Sequence, residues 1–233
     1  MDVRALTFDV FGTVVDWRSG VARDAEAVLA PKGFSLDWGG FADRWRARYA
    51  PSFLSVVRGE RPFAILDVLH RENLEALLAE EGIALSADEM ERLNTAWHRL
   101  DPWPDTVSGM NRLKRKFVLA SLSNGHVALI VNMARRAGLP WDVVLGAEVA
   151  RAYKPADEAY DSAARMLGLQ PSQCLMVAAH PYDLAAAGMR GFRTAYVHRP
   201  LEFGPGDEPQ RPGSGDVDYA VDSFNELAET LGA

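Results

Sequence analysis

Cysteine is almost absent: the 233 residues include one, Cys174, so no internal disulfide can staple the fold and a cross-linked secreted scaffold is excluded. It lies in the apolar run CLMVAA, the setting of a buried small hydrophobe rather than a reactive thiol, and a reducing cytosol is the matching compartment. Long apolar runs are missing too. No stretch approaches the roughly twenty residues of a membrane span, and MDVRALTFDVFG at the start begins a strand pattern instead of a signal peptide's charged and apolar regions. A cytoplasmic protein with no membrane partner is expected. Basic excess is the third absence. The formal net charge is −7 and is spread along the chain, which leaves no basic stripe for nucleic acid and favours a small-molecule partner. Histidine is sparse, and His70, His98, His126 and His198 stand on expected helices or surface turns with no sequence spacing for zinc. No metal or other cofactor is expected.

What the chain has is apolar sequence, 48% of residues against 24% charged, enough for one buried core and a smaller accessory unit. VRALTF at 3–8 reads as a strand that stops at Asp9, ahead of a turn with Gly12. From about 20 to 98 the periodicity is helical, with segments near 20–30, 38–57, 62–81 and 86–98 and no strand among them. Ser86 and Glu89 form a capping box for the last. DPWPDT at 101–106 ends this block, since residues before proline resist helix. Strands at 117–122, 143–146, 174–178 and 193–197 then alternate with helices at 126–137, 157–167 and 182–189, the pattern of right-handed crossovers in a parallel sheet. The proline- and glycine-rich stretch 200–216 reads as a mobile surface loop, and 218–231 as a last strand and helix. The fold class is α/β, an open parallel sheet with helices on both faces.

In such sheets ligands bind beyond the carboxyl ends of the strands. Four strand ends are polar: Asp9 with Gly12 and Thr13, Ser123-Asn124-Gly125, Lys154-Pro155, and His180 with Asp183. Singly, each is an ordinary cap or turn. Together they converge on one crevice. FDVFGT at 8–13, LSNG at 122–125, YKP at 153–155 and HPYD at 180–183 resemble the four ordered motifs of the haloacid dehalogenase superfamily, and within it the chain is most similar to the type II L-2-haloacid dehalogenases. The resemblance implies a Rossmann-like core at 1–16 and 99–233, a helical cap inserted after the first strand at 17–98, and a homodimer.

Charge decides between the chemistries of that superfamily. A phosphatase has a second Asp two residues after the nucleophile and extra carboxylates that hold magnesium. Here those positions are Phe11 and Ala179, which leaves too few anionic ligands for an ion that prefers about six oxygens. The expected reaction is hydrolytic displacement of halide from a small 2-haloacid, without metal. The alternatives are a magnesium-dependent phosphatase with an altered acid, or a binding protein that keeps the fold.

In the expected mechanism Asp9 attacks C2 and forms an aspartyl ester that water hydrolyses, with inversion at C2. Lys154 keeps Asp9 ionised, and Asp183 holds Lys154 and helps to orient the water. Thr13, Ser123 and Asn124, with backbone N–H groups near Gly12, bind the substrate carboxylate or Asp9 itself. From the cap, Trp45-Arg46 resembles the family's Trp-Arg pair, whose arginine captures halide or carboxylate; without that resemblance Arg46 is a solvated helix charge between Arg44 and Arg48. Tyr160 matches a family active-site tyrosine, and Phe11 and Tyr182 line the substrate pocket. The chain departs from the family where Ser-Ser-Asn and a following Trp are usual: it has Ala178-Ala179-His180 and Tyr182. His180 then replaces the asparagine as a donor, acts as a base, or stands behind Asp183 and orients it. Trp38, Phe41, Trp45, Tyr49 and Phe53 recur at helical spacing; most belong to the core, with one or two over the substrate to exclude water.

Overall fold

The structure, a computed structural model, describes residues 2–233. Strand β1 (Ala5–Phe8) leads to the two-residue β2 (Val15–Asp16) and then to five helices: α1 (Trp17–Leu29), α2 (Trp38–Ala47), α3 (Tyr49–Val57), α4 (Leu66–Glu80) and α5 (Ala87–Asn94). A 3-10 turn at Thr95–Arg99 and β3 (Asp101–Pro102) bring the chain back. The rest alternates: α6 (Thr106–Leu113), β4 (Val118–Ser123), α7 (Val127–Ala137), β5 (Val143–Gly146), α8 (Ala147–Ala150), α9 (Asp157–Leu167), β6 (Cys174–Ala178), α10 (Pro181–Met189), β7 (Arg193–Val197), β8 (Tyr219–Val221) and α11 (Phe224–Thr230).

Six strands form one parallel sheet in the order β5-β4-β1-β6-β7-β8. The chain builds outward from β1 to β4 and β5, then restarts on the other side with β6, so β1 lies at the point where the strand order reverses and a crevice opens at its carboxyl end. Side chains alternate between the sheet's faces as the pleat requires. Leu6, Phe8, Leu119, Leu175 and Val177 join the core shared with α6, α7, α11 and the inserted helices. Ala120, Leu122, Cys174, Met176 and Ala178 pack on the other face against Tyr160 and Ala163 of α9 and Leu184 and Ala187 of α10. Cys174 is fully buried, and burial pushes its thiol up to about 11. No helix among the described residues is long and apolar enough to cross a membrane.

The structure refines several expected boundaries. The helix anticipated over 38–57 is two, broken at Arg48, because Pro51 lacks the N–H that would bond the Ala47 carbonyl. The segment after Ser86 keeps its capping box but tightens into the 3-10 turn after Asn94. DPWPDT does more than end the helices: β3 pairs antiparallel with β2, so both crossings between the helical layer and the sheet run side by side. Helices α6 and α8 are additions; the four residues of α8 are too few to show a period.

Candidate active site

Asp9 follows β1 directly, and its N–H donates to the Val177 carbonyl of β6, which extends the strand register by one residue and fixes where the carboxylate points. The Thr13 hydroxyl donates to Asp9 Oδ2 (2.7 Å) while accepting from the Ala179 N–H (2.9 Å), so its one proton is committed to Asp9. The loop between them is braced. Trp103 donates its indole N–H to the Gly12 carbonyl, Thr106 its hydroxyl to the Val14 carbonyl, and the buried Arg199 its Nε to the Thr13 carbonyl while pairing with Asp105.

Lys154 Nζ lies 3.0 Å from Asp9 Oδ1 and pairs closely with Asp183 Oδ2, whose Oδ1 accepts from the Tyr160 hydroxyl (2.7 Å). Asn124 positions the lysine's backbone by accepting from the Lys154 N–H (2.8 Å), and its amide donates to the Tyr49 hydroxyl (2.9 Å). His180 completes the group: Nδ1 is 3.0 Å from Asp9 Oδ2 and Nε2 is 2.9 Å from Glu202 Oε1. Glu202 is 1% exposed and also accepts from the Trp17 indole (3.2 Å).

Burial disfavours every one of these charges, and the partners decide what survives. For Asp9, desolvation is outweighed by Lys154 and by His180 and Thr13, which hold the carboxyl well below the usual range. Asp183 goes the other way, raised by burial and by the nearby Asp9 against the pull of Lys154. Of the two carboxylates that share the lysine, Asp9 is the more firmly ionised. Lys154 is lifted well above its ordinary value because Asp183 and Asp9 overcome its desolvation. His180 is raised to about 10: burial opposes its charge, but Glu202 and Asp9 exceed that penalty. The resting site therefore holds two cations interleaved with three carboxyl groups.

Above this floor lies a cavity of about 50 Å³. Its apolar wall is Phe11, Tyr49 and Phe53, and Arg46 reaches into it with Cζ 4.1 Å from the Tyr49 ring centre. Arg46 Nη1 is buried with no hydrogen-bond partner, so the reading of Arg46 as a solvated helix charge is wrong: the turn of α2 that buries Trp45 aims the next residue inward. Of the aromatic residues spaced along α2 and α3, Tyr49 and Phe53 are turned to the cavity, while Phe41 and Trp45 are fully packed in the core. Tyr182 is 69% exposed at the mouth and stacks on the His180 ring.

The structure thus brings Asp9, Thr13, Lys154, Asp183, His180, Phe11, Arg46, Asn124, Tyr160 and Tyr182 to one place, whereas Ser123 and Gly12 do not line the cavity. The Ser123 hydroxyl accepts from the Gly125 N–H and does not line the cavity. The Gly12 N–H donates to the Val15 carbonyl, so it is not free to bind a substrate. Gly12 is needed for another reason. Its φ is +84°, and a Cβ there would fall 2.0 Å from Glu202 Oε1. His180 does not orient Asp183, because both ring nitrogens are taken by Asp9 and Glu202. Nor is the whole stretch 200–216 a free loop, since its third residue is buried in the site. Glu202 is the residue that sequence reasoning misses: one glutamate in a proline- and glycine-rich segment has no periodic or motif signal.

Two of the histidines that show no zinc spacing in the sequence meet in the fold. His98 and His126, from the 3-10 turn and the start of α7, meet at Asp67 of α4.

A haloacid dehalogenase-like hydrolase family model matches residues 3–189. Among characterised proteins, (S)-2-haloacid dehalogenase 1 of Pseudomonas sp. (strain CBS-3) is 29% identical over 98% of this chain and 96% of its own length. A solved L-2-haloacid dehalogenase is 44% identical with a TM-score of 0.94, covering 99% of both chains. A defluorinating L-2-haloacid dehalogenase is 44% identical with a TM-score of 0.95, covering 99% of this chain and 96% of that one.

Proposed function

The chain belongs to the haloacid dehalogenase-like hydrolases, and on that premise we propose that it is a hydrolytic dehalogenase that converts a short (S)-2-haloacid to the 2-hydroxy acid through an ester on Asp9. The observation that carries this reading is the Asp9 carboxylate, buried and ionised 3.0 Å from the Lys154 ammonium, with a phenyl ring at position 11 where a phosphatase would keep its acid. Magnesium has no place in this scheme: the oxygens of Asp9 already face Lys154, Thr13 and His180, and Ala179 offers no ligand.

Asp9 Oδ2 has two partners and Oδ1 one, which makes Oδ1 the nucleophile. It attacks C2 as the carbon–halogen bond breaks with inversion, and the halide leaves with the bonding pair. The unpartnered Arg46 Nη1 receives an anion of the substrate pair, carboxylate or halide. The water-poor aromatic wall leaves the nucleophile weakly hydrated, and the small cavity suits an acid of few heavy atoms.

Ester formation removes the charge of Asp9, one of the causes that hold His180 protonated. The imidazole then releases its Nδ1 proton to bulk water, the proton that accompanies the departed halide, and becomes neutral. With Nε2–H directed to Glu202, its Nδ1 lone pair faces the ester and can take a proton from the water attacking Cγ. The Thr13 hydroxyl stabilises the oxyanion at Oδ2. The Cγ–Oδ1 bond breaks, the imidazolium protonates the departing alkoxide, and the proton left on the Asp9 carboxyl passes to Nδ1, which restores the imidazolium and an Asp9 carboxylate carrying one oxygen from water. Asp183, steadied by Tyr160, holds Lys154 throughout.

Residues 17–98 act as a cap over the core formed by 1–16 and 99–233, with β2 and β3 as the paired crossings. The enzyme is assigned to the cytoplasm on its single cysteine, and a homodimer is the expected assembly, which sedimentation tests. The deciding experiment is a single turnover of (S)-2-chloropropionate in oxygen-18 water without added metal. Label in the peptide bearing Asp9, lost with all halide release in Asp9→Asn, is the expected result. Label only in the product, or turnover of p-nitrophenyl phosphate that requires magnesium, would overturn the assignment.

A further inference from the structure

Outside the active site, Asp67, His98 and His126 form a compact group at the seam between the helical layer and the sheet. The ligand-capable atoms of the three lie within 4.8 Å of one another. His98 Nε2 is 3.0 Å from both Asp67 oxygens, and His126 Nε2 is 3.3 Å from Asp67 Oδ2. Bonds of about 2.0–2.1 Å from nitrogen or oxygen to a tetrahedral zinc put neighbouring ligand atoms roughly 3.3 Å apart, so these separations already approximate the edges of such a site. His98 and His126 are 8% and 4% exposed.

Three further features suit a cation. The second ring nitrogen of His98 lies 3.0 Å from the Asn132 side-chain amide, which by rotation offers its oxygen and would fix the ring as a ligand. Asp67 is a carboxylate whose charge survives burial, because hydrogen bonds from His126 and His98 outweigh desolvation. One side opens to a solvent groove of about 510 Å³, which leaves a position for water. Of the groove's arginines, Arg99 pairs with Asp24 and Arg136 with Asp101, acids they share with Arg23, and Glu91 adds another carboxylate to the lining.

The geometry points to a binding site for one first-row divalent transition ion of the zinc class, held by Asp67, His98 and His126. Imidazole and carboxylate donors in this number match zinc or cobalt and not magnesium, which takes oxygen alone. In the metal-free protein both Nε2 nitrogens face Asp67; an ion bound there takes their lone pairs, with each neutral ring carrying its proton on Nδ1. The ligands come from α4, the 3-10 turn and α7, and the ion therefore ties the inserted helices to the sheet unit away from the catalytic cavity.

The test uses tag-free full-length protein stripped of metal and titrated with Co²⁺. Expected are one equivalent bound per chain with the visible absorption of tetrahedral cobalt, its displacement by Zn²⁺, and a rise in melting temperature of about 5 °C or more at a hundred times Kd. His98→Gln and Asp67→Asn should each abolish the signal, with metal-free melts showing that each variant is folded. Independently of any variant, bound Co²⁺ should broaden the imidazole resonances of His98 and His126 and spare His180 and His198. No saturable binding, binding unchanged in the folded variants, or broadening centred on His180 would overturn the site.

Discussion

Two clusters in this molecule use the same residue types in opposite ratio. In the active site one imidazole, His180, stands between two carboxylates, Asp9 and Glu202. At the seam one carboxylate, Asp67, stands between two imidazoles. In the first, two anions trap a proton: burial resists the charge, yet the flanking carboxylates raise the group to about 10. In the second, two ring nitrogens compete for one carboxylate, and a divalent ion can serve all three. Ratio and enclosure, more than residue identity, separate a proton site from a metal site.

The sharpest way to break this contrast is His180→Gln, which keeps a hydrogen-bond donor and removes the base. Turnover should fall by about 10²–10⁴-fold, while close to one equivalent of halide still appears in a rapid burst and the Asp9 ester accumulates, as rapid-quench mass spectrometry would detect. An ester lifetime equal to that of the unaltered enzyme would reduce His180 to a purely orienting group.

Next in size is the pH dependence of stability. His180 is raised in the folded protein, so its contribution is fully present below its unfolded value of about 6.5 and is lost as pH rises through about 10. The loss across that window is at most about 5 kcal/mol. Glu202→Gln removes the largest cause of the elevation, the Glu202 charge, and urea unfolding near pH 6 and pH 10 should show a much shallower decline than in the unaltered protein. An equal decline in both would place the titrating group elsewhere. Gly12→Ala tests the same dyad from the other side. A non-glycine residue at φ +84° directed at Glu202 should destabilise by about 1–3 kcal/mol and, by displacing Glu202, should also slow ester hydrolysis; wild-type kinetics with unchanged stability would mean that the loop relaxes freely.

How much of this was legible in the sequence follows from the range of each interaction. The sheet strands declare themselves by short apolar runs, and Asp9, Asn124, Lys154 and Asp183 follow because parallel crossovers return every strand end to one edge. The same logic does not separate Ser123 from Asn124: adjacent residues at a strand end point to opposite sides, and it is Asn124 that lines the cavity. Arg46 needed the helix phase, which Trp45 sets. Glu202 and the Asp67, His98 and His126 group were illegible for a different reason. Their partners are fixed by tertiary packing between segments that share no spacing, so neither carboxylate is distinguishable in sequence from the solvated acids around it.

The smallest effect on catalysis is expected from Asp67→Asn, and it separates the two clusters most cleanly. The side chain touches no group of the catalytic cavity, so kcat/KM for a 2-haloacid should stay within about threefold, a ΔΔG‡ of roughly 0.7 kcal/mol or less. Stability should nevertheless fall by about 1–3 kcal/mol, because two buried imidazoles lose a charged acceptor and the replacement amide cannot satisfy both as well. Parallel chemical denaturation and steady-state kinetics on the same preparation check both halves. A large loss of kcat with intact stability would mean that the seam and the catalytic floor are coupled, since the helices that hold Arg46 and Tyr49 over the cavity pack against the helix bearing Asp67.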